Sequence, residues 1–296
     1  MSGRVPGASP SVDAFADASL WIVDLDGVVW LTGEPIGDIA GAVADLRSRG
    51  IRLAFATNNS APTTRELLAR LDRIGVSATA ADLATSAGAV ASMLQPGQKA
   101  LVLAEDGVLE ALGERGVQVV GAGTGSRGPG GDATHDAVVD AAVVGWTHHF
   151  DFDSLAATAA AARDSGRLIG TNEDPTHPTP DGLMPGSGAL LAAVATASGV
   201  DPQIAGKPHQ PMASMMKGKF GFDDGDPSVL MVGDQPRTDG SLAERLGLPF
   251  ALVDSGVTPP GADGFDVPVA ARFPDFVSLV GRCLSARGGS AAHRGS

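Results

Sequence analysis

Asp24, Asp26 and Asp234 each stand at the end of an apolar run that predicts a buried strand. An unpaired carboxylate is costly to bury, so acidic residues at these places need a partner of opposite charge. Asp24 and Asp26 are two residues apart, which would turn both side chains to one side of an extended strand. Mg²⁺ suits such a pair because it takes oxygen ligands and offsets their mutual repulsion. The alternative interpretation of Asp26-Gly27 and of Asp234 is a simple turn, which Asp and Gly favour.

Candidate phosphate-binding groups lie elsewhere in the chain. Thr57 ends another apolar run and, with Asn58 and Asn59, offers a hydroxyl and backbone N–H groups just before a predicted helix, where anions are favoured. Lys207, in "GKPH", offers a compact cation. These groups and the acidic residues are the parts needed for phosphoryl transfer, in which positioning and charge stabilisation supply most of the catalysis. The alternative for Lys207 is a solvated surface position, where lysines usually lie.

The segments that must position these residues alternate between strand-like and helix-like patterns. Such alternation predicts an α/β fold with a parallel sheet that is covered by helices on both faces. Ligands bind such sheets at the carboxyl ends of the strands, so the acidic residues and Thr57 would meet at one edge. The predicted strands span residues 21–23, 51–57, 99–104, 117–120, 141–146, 167–171, 228–234 and 249–254, and the first two predicted helices span 37–50 and 62–74.

Four short motifs follow one another along the chain in a set order. They are "DLDGV", "TNNS", "GKP" and "GDQPRTD", and they resemble the four motifs of the haloacid dehalogenase-like (HAD) superfamily. The insert between the second and third motifs resembles the large α/β cap of the subfamily IIA phosphatases, the NagD-like and 4-nitrophenylphosphatase group. The resemblance implies a Rossmann-like HAD core at 18–80 and 206–285, with a C2-type cap domain at 81–205.

The resemblance also implies catalytic roles. Asp24 would be the nucleophile that forms an aspartyl-phosphate, and Asp26 would be the general acid and base. Mg²⁺ would bind Asp24, the backbone carbonyl of Asp26, and Asp234. Asp239 would orient the waters of the metal or Lys207, although it is also placed to cap the following helix.

The same resemblance implies the groups that bind substrate. Thr57, Lys207 and the amides around Asn58 and Asn59 would bind phosphate. His177, in "DPTHP", matches a segment that carries a substrate-contacting histidine in pyridoxal phosphatases; the alternative is a loop histidine in a Pro-rich turn. The chain has no tyrosine, so aromatic stacking on a substrate must come from Trp or Phe.

The expected function is a Mg²⁺-dependent phosphatase for a small phosphorylated metabolite of polyol, sugar or glycolate type. Two alternatives stay open. A phosphoacceptor signalling domain also carries acidic residues, a Thr or Ser and a Lys around a phosphorylated Asp, but it lacks the role given to Asp26. A noncatalytic relative that binds a phosphorylated metabolite would need to have lost the nucleophile or the acid, and both are present here.

Composition narrows the partners and the location. The net charge of −13 argues against a nucleic-acid partner, because phosphate backbones attract a surplus of Lys and Arg. No apolar run reaches the ~20 residues that span a bilayer. Cys283 is the single cysteine, which together with the absence of a signal-peptide pattern favours a cytoplasmic location. Family resemblance suggests a homodimer that forms through the cap.

Several segments are not expected to carry the chemistry. Residues 1–17 and 286–296 are predicted to be disordered because they are rich in Gly, Ser and Ala. Residues 121–136 are predicted to form a long Gly-rich loop. His148 and His149 are adjacent, but no zinc-type pattern accompanies them, so a loop or surface role is expected.

Overall fold

The computed structural model describes residue 15 and residues 18–121, 138–179 and 182–293. The disorder predictions for residues 1–14, 16–17 and 294–296, and the loop prediction for residues 122–136, therefore lie outside the described residues. The described residues form two compact units. The first unit consists of the described residues within Met1–Phe55, Ile74–Val76 and Phe222–Ser296. The second unit consists of the described residues within Ala56–Arg73 and Ser77–Gly221.

The described residues of the first unit form five neighbouring strands of a sheet, a short hairpin and the helices named below. The strands lie in the order β15-β14-β13-β1-β4, and the pairings of β1 with β13, β13 with β14 and β14 with β15 are parallel. The elements are β1 (Leu20–Asp24), the hairpin β2 (Trp30–Leu31) and β3 (Glu34–Pro35), α1 (Ile39–Ser48), β4 (Arg52–Thr57), β13 (Val229–Gly233), α8 (Ser241–Leu246), β14 (Phe250–Val253), β15 (Ala271–Phe273) and α9 (Phe276–His293). The last two residues of β4 belong to the second unit.

Strand β1 lies between β13 and β4 in the sheet, and all five of its residues are buried. The Trp21 ring packs edge-on against Phe276 of α9, with ring centroids 6.3 Å apart. Helix α1 covers the sheet with Ile39, Val43 and Leu46, and the Asp38 side chain caps the start of the helix by accepting from Gly41 N–H. β1 ends at Asp24, which is the one charged residue of this buried strand.

The second unit holds a separate five-stranded parallel sheet in the order β12-β9-β8-β6-β7. An antiparallel hairpin, β10–β11, lies in the segment that connects β9 to the following helix. The elements are α2 (Thr64–Arg73), β5 (Leu83–Thr85), α3 (Ser86–Ser92), β6 (Lys99–Leu103), α4 (Asp106–Arg115), β7 (Gln118–Val119), β8 (Ala141–Val144), α5 (Phe152–Ser165), β9 (Leu168–Gly170), β10 (Thr176–Thr179), β11 (Gly182–Pro185), α6 (Ser187–Ser198), β12 (Pro202–Ile204) and α7 (Gln210–Phe220).

The core of this unit is made of small and branched apolar residues. Val144 and Leu168 of the sheet pack with Ala162 of α5 and Leu191 and Val194 of α6. Alanines on α5 allow the two helices to approach closely. This core fixes the loops that leave the carboxyl ends of β8 and β9.

The predicted α/β fold with a parallel sheet and an inserted α/β domain is confirmed. The eight predicted strands all form, and the described residues contain seven further strands that were not predicted: β2, β3, β5, β10, β11, β12 and β15. These are two to four residues long, too short for a hydrophobic period to show. Prolines in β10 and β11 also argue against a strand when the sequence is considered alone.

Helix α9 runs to His293, into the segment predicted to be disordered. The limits 18–80, 81–205 and 206–285 stay a prediction. Among the described residues, no helix combines the length and the apolar character needed to cross a bilayer.

Candidate active site

Three buried carboxylates meet at the carboxyl ends of β1 and β13. Asp24, Asp234 and Asp239 each offer an oxygen that lies within 4.8 Å of the others. Asp24 is 5% exposed and the other two are fully buried. The parallel register pairs Val23 with Val232, so the two strands deliver Asp24 and Asp234 to the same edge. The predicted meeting of these two aspartates is therefore seen in the first unit.

The position of Asp234 depends on close approach of backbone. Val257 N–H donates to Asp234 Oδ2 at 2.6 Å. A Cβ on Gly27 would lie 2.5 Å from the same oxygen, and one on Gly256 would lie even closer. These two positions must be glycine for the carboxylate to fit. The sequence analysis did not single out the segment after β14, although the rule about carboxyl ends of strands would have included it.

Asp239 joins the cluster from a single turn of π-helix, Pro236–Gly240. Its Oδ2 accepts from Gln235 N–H at 3.2 Å, and Gly233 leaves room for its side chain at the end of β13. Gly240, and not Asp239, is the residue that precedes α8 as its N-cap. The alternative role as a helix cap is therefore wrong.

The donor set suits a divalent cation with a preference for oxygen. Three buried carboxylates repel one another at this spacing, and a cation between them would remove that repulsion. Mg²⁺ takes carboxylate and carbonyl oxygens in an octahedral arrangement with several waters. The residues present therefore fit Mg²⁺, and Asp24 and Asp234 would be its side-chain ligands.

Gly27 and Gly33 provide a matched test of this site. Both have a left-handed backbone, with φ of +89° and +94°, but a Cβ on Gly33 would meet nothing within 4 Å. We expect Gly27→Ala and Gly33→Ala each to lose about 1–2 kcal/mol of stability from the backbone alone. Only Gly27→Ala should also weaken Mg²⁺ binding, because its methyl group would displace Asp234.

Thermal melting and titration calorimetry with Mg²⁺ check this prediction. Equal Mg²⁺ affinity in the two variants would contradict the assignment of Asp234 to the metal site. A larger loss of stability in Gly27→Ala than in Gly33→Ala is expected from the steric overlap.

Asp26 lies at the start of the turn that follows β1, and its side chain is partly buried. Trp30 Nε1–H donates to Asp26 Oδ1 at 3.0 Å. The indole is fully buried, so this contact holds the carboxylate in a fixed orientation. Sequence reasoning missed Trp30, because a tryptophan in an apolar run gives no sign that its N–H has a carboxylate partner.

Thr57 ends β4 and is buried. Its Oγ1 accepts from Asn59 N–H at 3.0 Å, and the Asn59 side chain accepts from Ala61 N–H at 3.2 Å. These contacts shape the loop after β4.

The helix after this loop begins later than predicted, at Thr64 and not at residue 62. Thr64 N–H donates to Glu110 Oε2 at 2.6 Å, and Thr63 N–H donates to Glu66. Carboxylates therefore occupy the amides of Thr63 and Thr64, and phosphate binding by the amides around Asn58 and Asn59 stays a prediction.

Lys207 is 2% exposed, so the alternative of a solvated surface lysine is wrong. Its Nζ donates to Ala56 O at 3.1 Å. The Asn58 side chain contacts the backbone of Lys207, and both residues lie in the second unit. The structure thus brings two of the predicted phosphate-binding residues together.

His177 lies in β10, and its ring centroid is 5.4 Å from that of Trp146. Trp146 also packs edge-on against His148 at 4.4 Å, and its Nε1–H donates to Pro185 O. Sequence reasoning missed Trp146, which follows β8 and so obeys the same rule about carboxyl ends of strands. Among the described residues, neither His148 nor His149 belongs to a group of metal-ligating side chains.

Comparison with known proteins agrees with the motifs. Residues 21–118 match a family model described as haloacid dehalogenase-like hydrolase, and residues 204–277 match one described as HAD-hydrolase-like. The chain is 32% identical over 240 residues to D-glycerol 3-phosphate phosphatase of Mycobacterium tuberculosis, a match that covers 80% of this chain and 63% of that relative's length. It is 30% identical over 241 residues to 5'-nucleotidase YutF of Bacillus subtilis, covering 80% of this chain and 88% of the relative.

Solved structures share the fold over most of the chain. The p-nitrophenyl phosphatase from Archaeoglobus fulgidus has a TM-score of 0.79 at 26% identity, covering 90% of this chain and 99% of that one. The glycerol phosphate phosphatase from Mycobacterium tuberculosis, solved in complex with magnesium, has a TM-score of 0.76 at 30% identity, covering 90% and 77%. The chain therefore belongs to the haloacid dehalogenase-like hydrolases, and its relatives place it among the phosphatases of that family.

Proposed function

We propose that this protein is a Mg²⁺-dependent phosphatase that hydrolyses small phosphomonoesters through an aspartyl-phosphate on Asp24. The observation that carries the proposal is the buried cluster of Asp24, Asp234 and Asp239 at the ends of β1 and β13. Such a cluster supplies a nucleophile and a cation site together, as phosphoryl transfer requires. The phosphatases among the relatives support the same reaction.

The residues of the first unit divide the reaction into two steps. An Asp24 oxygen attacks phosphorus, the bond from phosphorus to the leaving oxygen breaks, and Asp26 gives that oxygen a proton. Water then attacks phosphorus, Asp26 takes a proton from it, and the bond to Asp24 breaks to release phosphate. Trp30 keeps the Asp26 carboxylate oriented for both transfers. When bound, Mg²⁺ would neutralise the charge of the phosphate oxygens.

The remaining site residues keep their proposed roles. Mg²⁺ would bind Asp24, Asp234 and the backbone carbonyl of Asp26, with Asp239 beside them. In the second unit, Lys207, the Thr57 hydroxyl and the backbone amides around Asn58 and Asn59 would bind phosphate. The lysine contributes a desolvated positive charge, which acts more strongly on an anion than a solvated one does.

The proposed substrate is a small phosphomonoester with a hydroxylated leaving group. The names of the relatives cite glycerol phosphate, nucleotides and sugar phosphates. His177 and Trp146 provide an imidazole and an aromatic face, which bind hydroxyl groups and sugar C–H groups respectively. The cap role of 81–205, the homodimer and the cytoplasmic location stay predictions.

A substrate panel tests the proposal. Phosphate release is compared for glycerol 3-phosphate, sugar phosphates, nucleoside monophosphates, phosphoglycolate and a phosphoserine peptide. We expect the polyol and sugar phosphates to have the highest kcat/KM and the peptide to be inert. Equal hydrolysis of the peptide would contradict a small-molecule substrate.

The variant His177→Ala separates substrate recognition from chemistry. We expect it to raise KM for the best polyol or sugar substrate about 10-fold, the effect of losing one hydrogen bond to a bound group. The KM for 4-nitrophenyl phosphate should change less, because that substrate offers no hydroxyl to His177. Equal changes for both substrates would contradict the role of His177.

A further inference from the structure

The side chain of Asn58 forms hydrogen bonds with the backbone of a segment that is distant in sequence. Its Oδ1 accepts from Lys207 N–H at 2.7 Å, and its Nδ2 donates to Lys207 O at 3.1 Å. One amide side chain thus satisfies both backbone groups of the lysine, 149 residues away in the chain. This use differs from the phosphate contact that the motif predicts for the neighbourhood of Asn58.

The Asn58 side chain lies so close to the backbone before Lys207 that only glycine fits at position 206. A Cβ on Gly206 would lie 2.5 Å from Asn58 Oδ1 and 2.5 Å from Thr171 O. Gly206 N–H also donates to Thr171 O at 2.8 Å. The glycine of "GKP" is therefore required by the packing of the Asn58 side chain against this backbone.

Three consecutive residues of the loop after β9 contact the two segments that carry Asn58 and Lys207. Asn172 Nδ2 donates to Asn58 O at 2.8 Å, and Asp174 Oδ2 accepts from Asn58 Nδ2 at 3.3 Å. Between them, Glu173 contacts His209 Nε2 at 3.1 Å. The loop thus contacts Asn58, which holds the Lys207 backbone, and His209, which lies two residues after Lys207 in the chain.

We infer that Asn58 is a positioning residue that acts through Lys207, and that loop 172–174 holds it in place. Lys207 Nζ lies at the end of a flexible stem, and its direction depends on where the backbone is fixed. Asn58 fixes that backbone from both its N–H and its C=O. This inference rests on the proposed function, in which Lys207 binds the phosphate of the substrate.

A double-mutant cycle tests the inference with 4-nitrophenyl phosphate as substrate. We expect Asn58→Ala to lower kcat/KM about 10- to 100-fold in the wild-type background, the effect of one lost buried partner. In the Lys207→Ala background it should lower kcat/KM less than about 2-fold, because the group it positions is gone. Asn59→Ala is the matched control, and its loss should be the same in both backgrounds, since its side chain contacts Ala61.

Equal losses from Asn58→Ala in both backgrounds would overturn the inference, because Asn58 would then act on substrate or fold directly. No loss in the wild-type background would overturn it as well. If Asn58→Ala does not fold, Asn58→Asp decides, since its carboxylate can still accept from Lys207 N–H but cannot donate to Lys207 O. We expect Asn58→Asp to lower kcat/KM in the wild-type background but by less than about 2-fold in the Lys207→Ala background, and equal losses in both backgrounds would overturn the inference.

Hydrogen exchange of the Lys207 amide separates this inference from the proposed function. We expect exchange at Lys207 N–H to become at least about 10-fold faster in Asn58→Ala, because its acceptor is removed. An unchanged exchange rate would overturn the inference that Asn58 holds the backbone of Lys207. If the wild-type protein shows no turnover, the proposed function fails while this measurement still decides whether Asn58 holds Lys207.

Discussion

The variant Asp24→Asn should lose turnover of 4-nitrophenyl phosphate by roughly 10³- to 10⁶-fold, the range found when a covalent nucleophile is removed. An amide oxygen is a poor nucleophile towards phosphorus, and the first bond to phosphorus cannot form at a useful rate. Steady-state kinetics with Mg²⁺ measure this loss. Asp45→Asn, an exposed aspartate on α1, is the matched control and should keep wild-type rates.

The stability of Asp24→Asn separates chemistry from folding. Asp24 shares a buried cluster with two other carboxylates, so its removal relieves repulsion when no metal is bound. We expect Asp24→Asn in EDTA to melt at or above the temperature of the wild-type protein. Loss of activity with a large fall in Tm would indicate a folding defect, and retained activity would contradict the nucleophile assignment.

Removal of the metal should abolish activity, and added Mg²⁺ should restore it. Without the cation, three buried negative charges would face an incoming phosphate, which repels the substrate. Activity is measured after EDTA treatment and across a Mg²⁺ titration. Full activity in EDTA would contradict the metal site.

Two variants rank the carboxylates of that site. Asp239→Asn should raise the Mg²⁺ concentration for half-activation about 10- to 100-fold, as expected for a residue that orients the shell of a metal. Asp234→Asn should raise it further, because it removes a ligand. Asp223→Asn, an exposed aspartate of the same unit, is the control and should not change it. A larger increase in this Mg²⁺ concentration for Asp239→Asn than for Asp234→Asn would contradict the assignment of Asp234 as the ligand.

The acidic cluster was within reach of the sequence because parallel strands bring their carboxyl ends together. β1 and β13 are apolar and adjacent; β1 ends in Asp24 and Asp234 follows β13, so the pattern alone places both aspartates at the sheet edge. Asp239 was expected beside the metal from its motif. The carboxylate contact with Val257, by contrast, depends on the path of the loop after β14.

The contacts around Lys207 could not be predicted in the same way. Asn58 reaches Lys207 and Asp174 across separations of 149 and 116 residues, and no local pattern encodes such pairs. The hairpin β10–β11 that carries His177 is short and contains prolines, so neither strand propensity nor alternation revealed it. Glu110 of α4 accepts a hydrogen bond from Thr64 N–H at the start of α2, and this contact is also too distant in sequence to be predicted from a local pattern.

The amount of phosphate released per molecule of protein tests the central claim most directly. Wild-type protein is mixed with 4-nitrophenyl phosphate and Mg²⁺, and free phosphate is measured against time. We predict many equivalents of phosphate per protein at a steady rate, because Asp26 supports hydrolysis of the aspartyl-phosphate. Release that stops at one equivalent or less would contradict a phosphatase and favour the phosphoacceptor or the binding alternative.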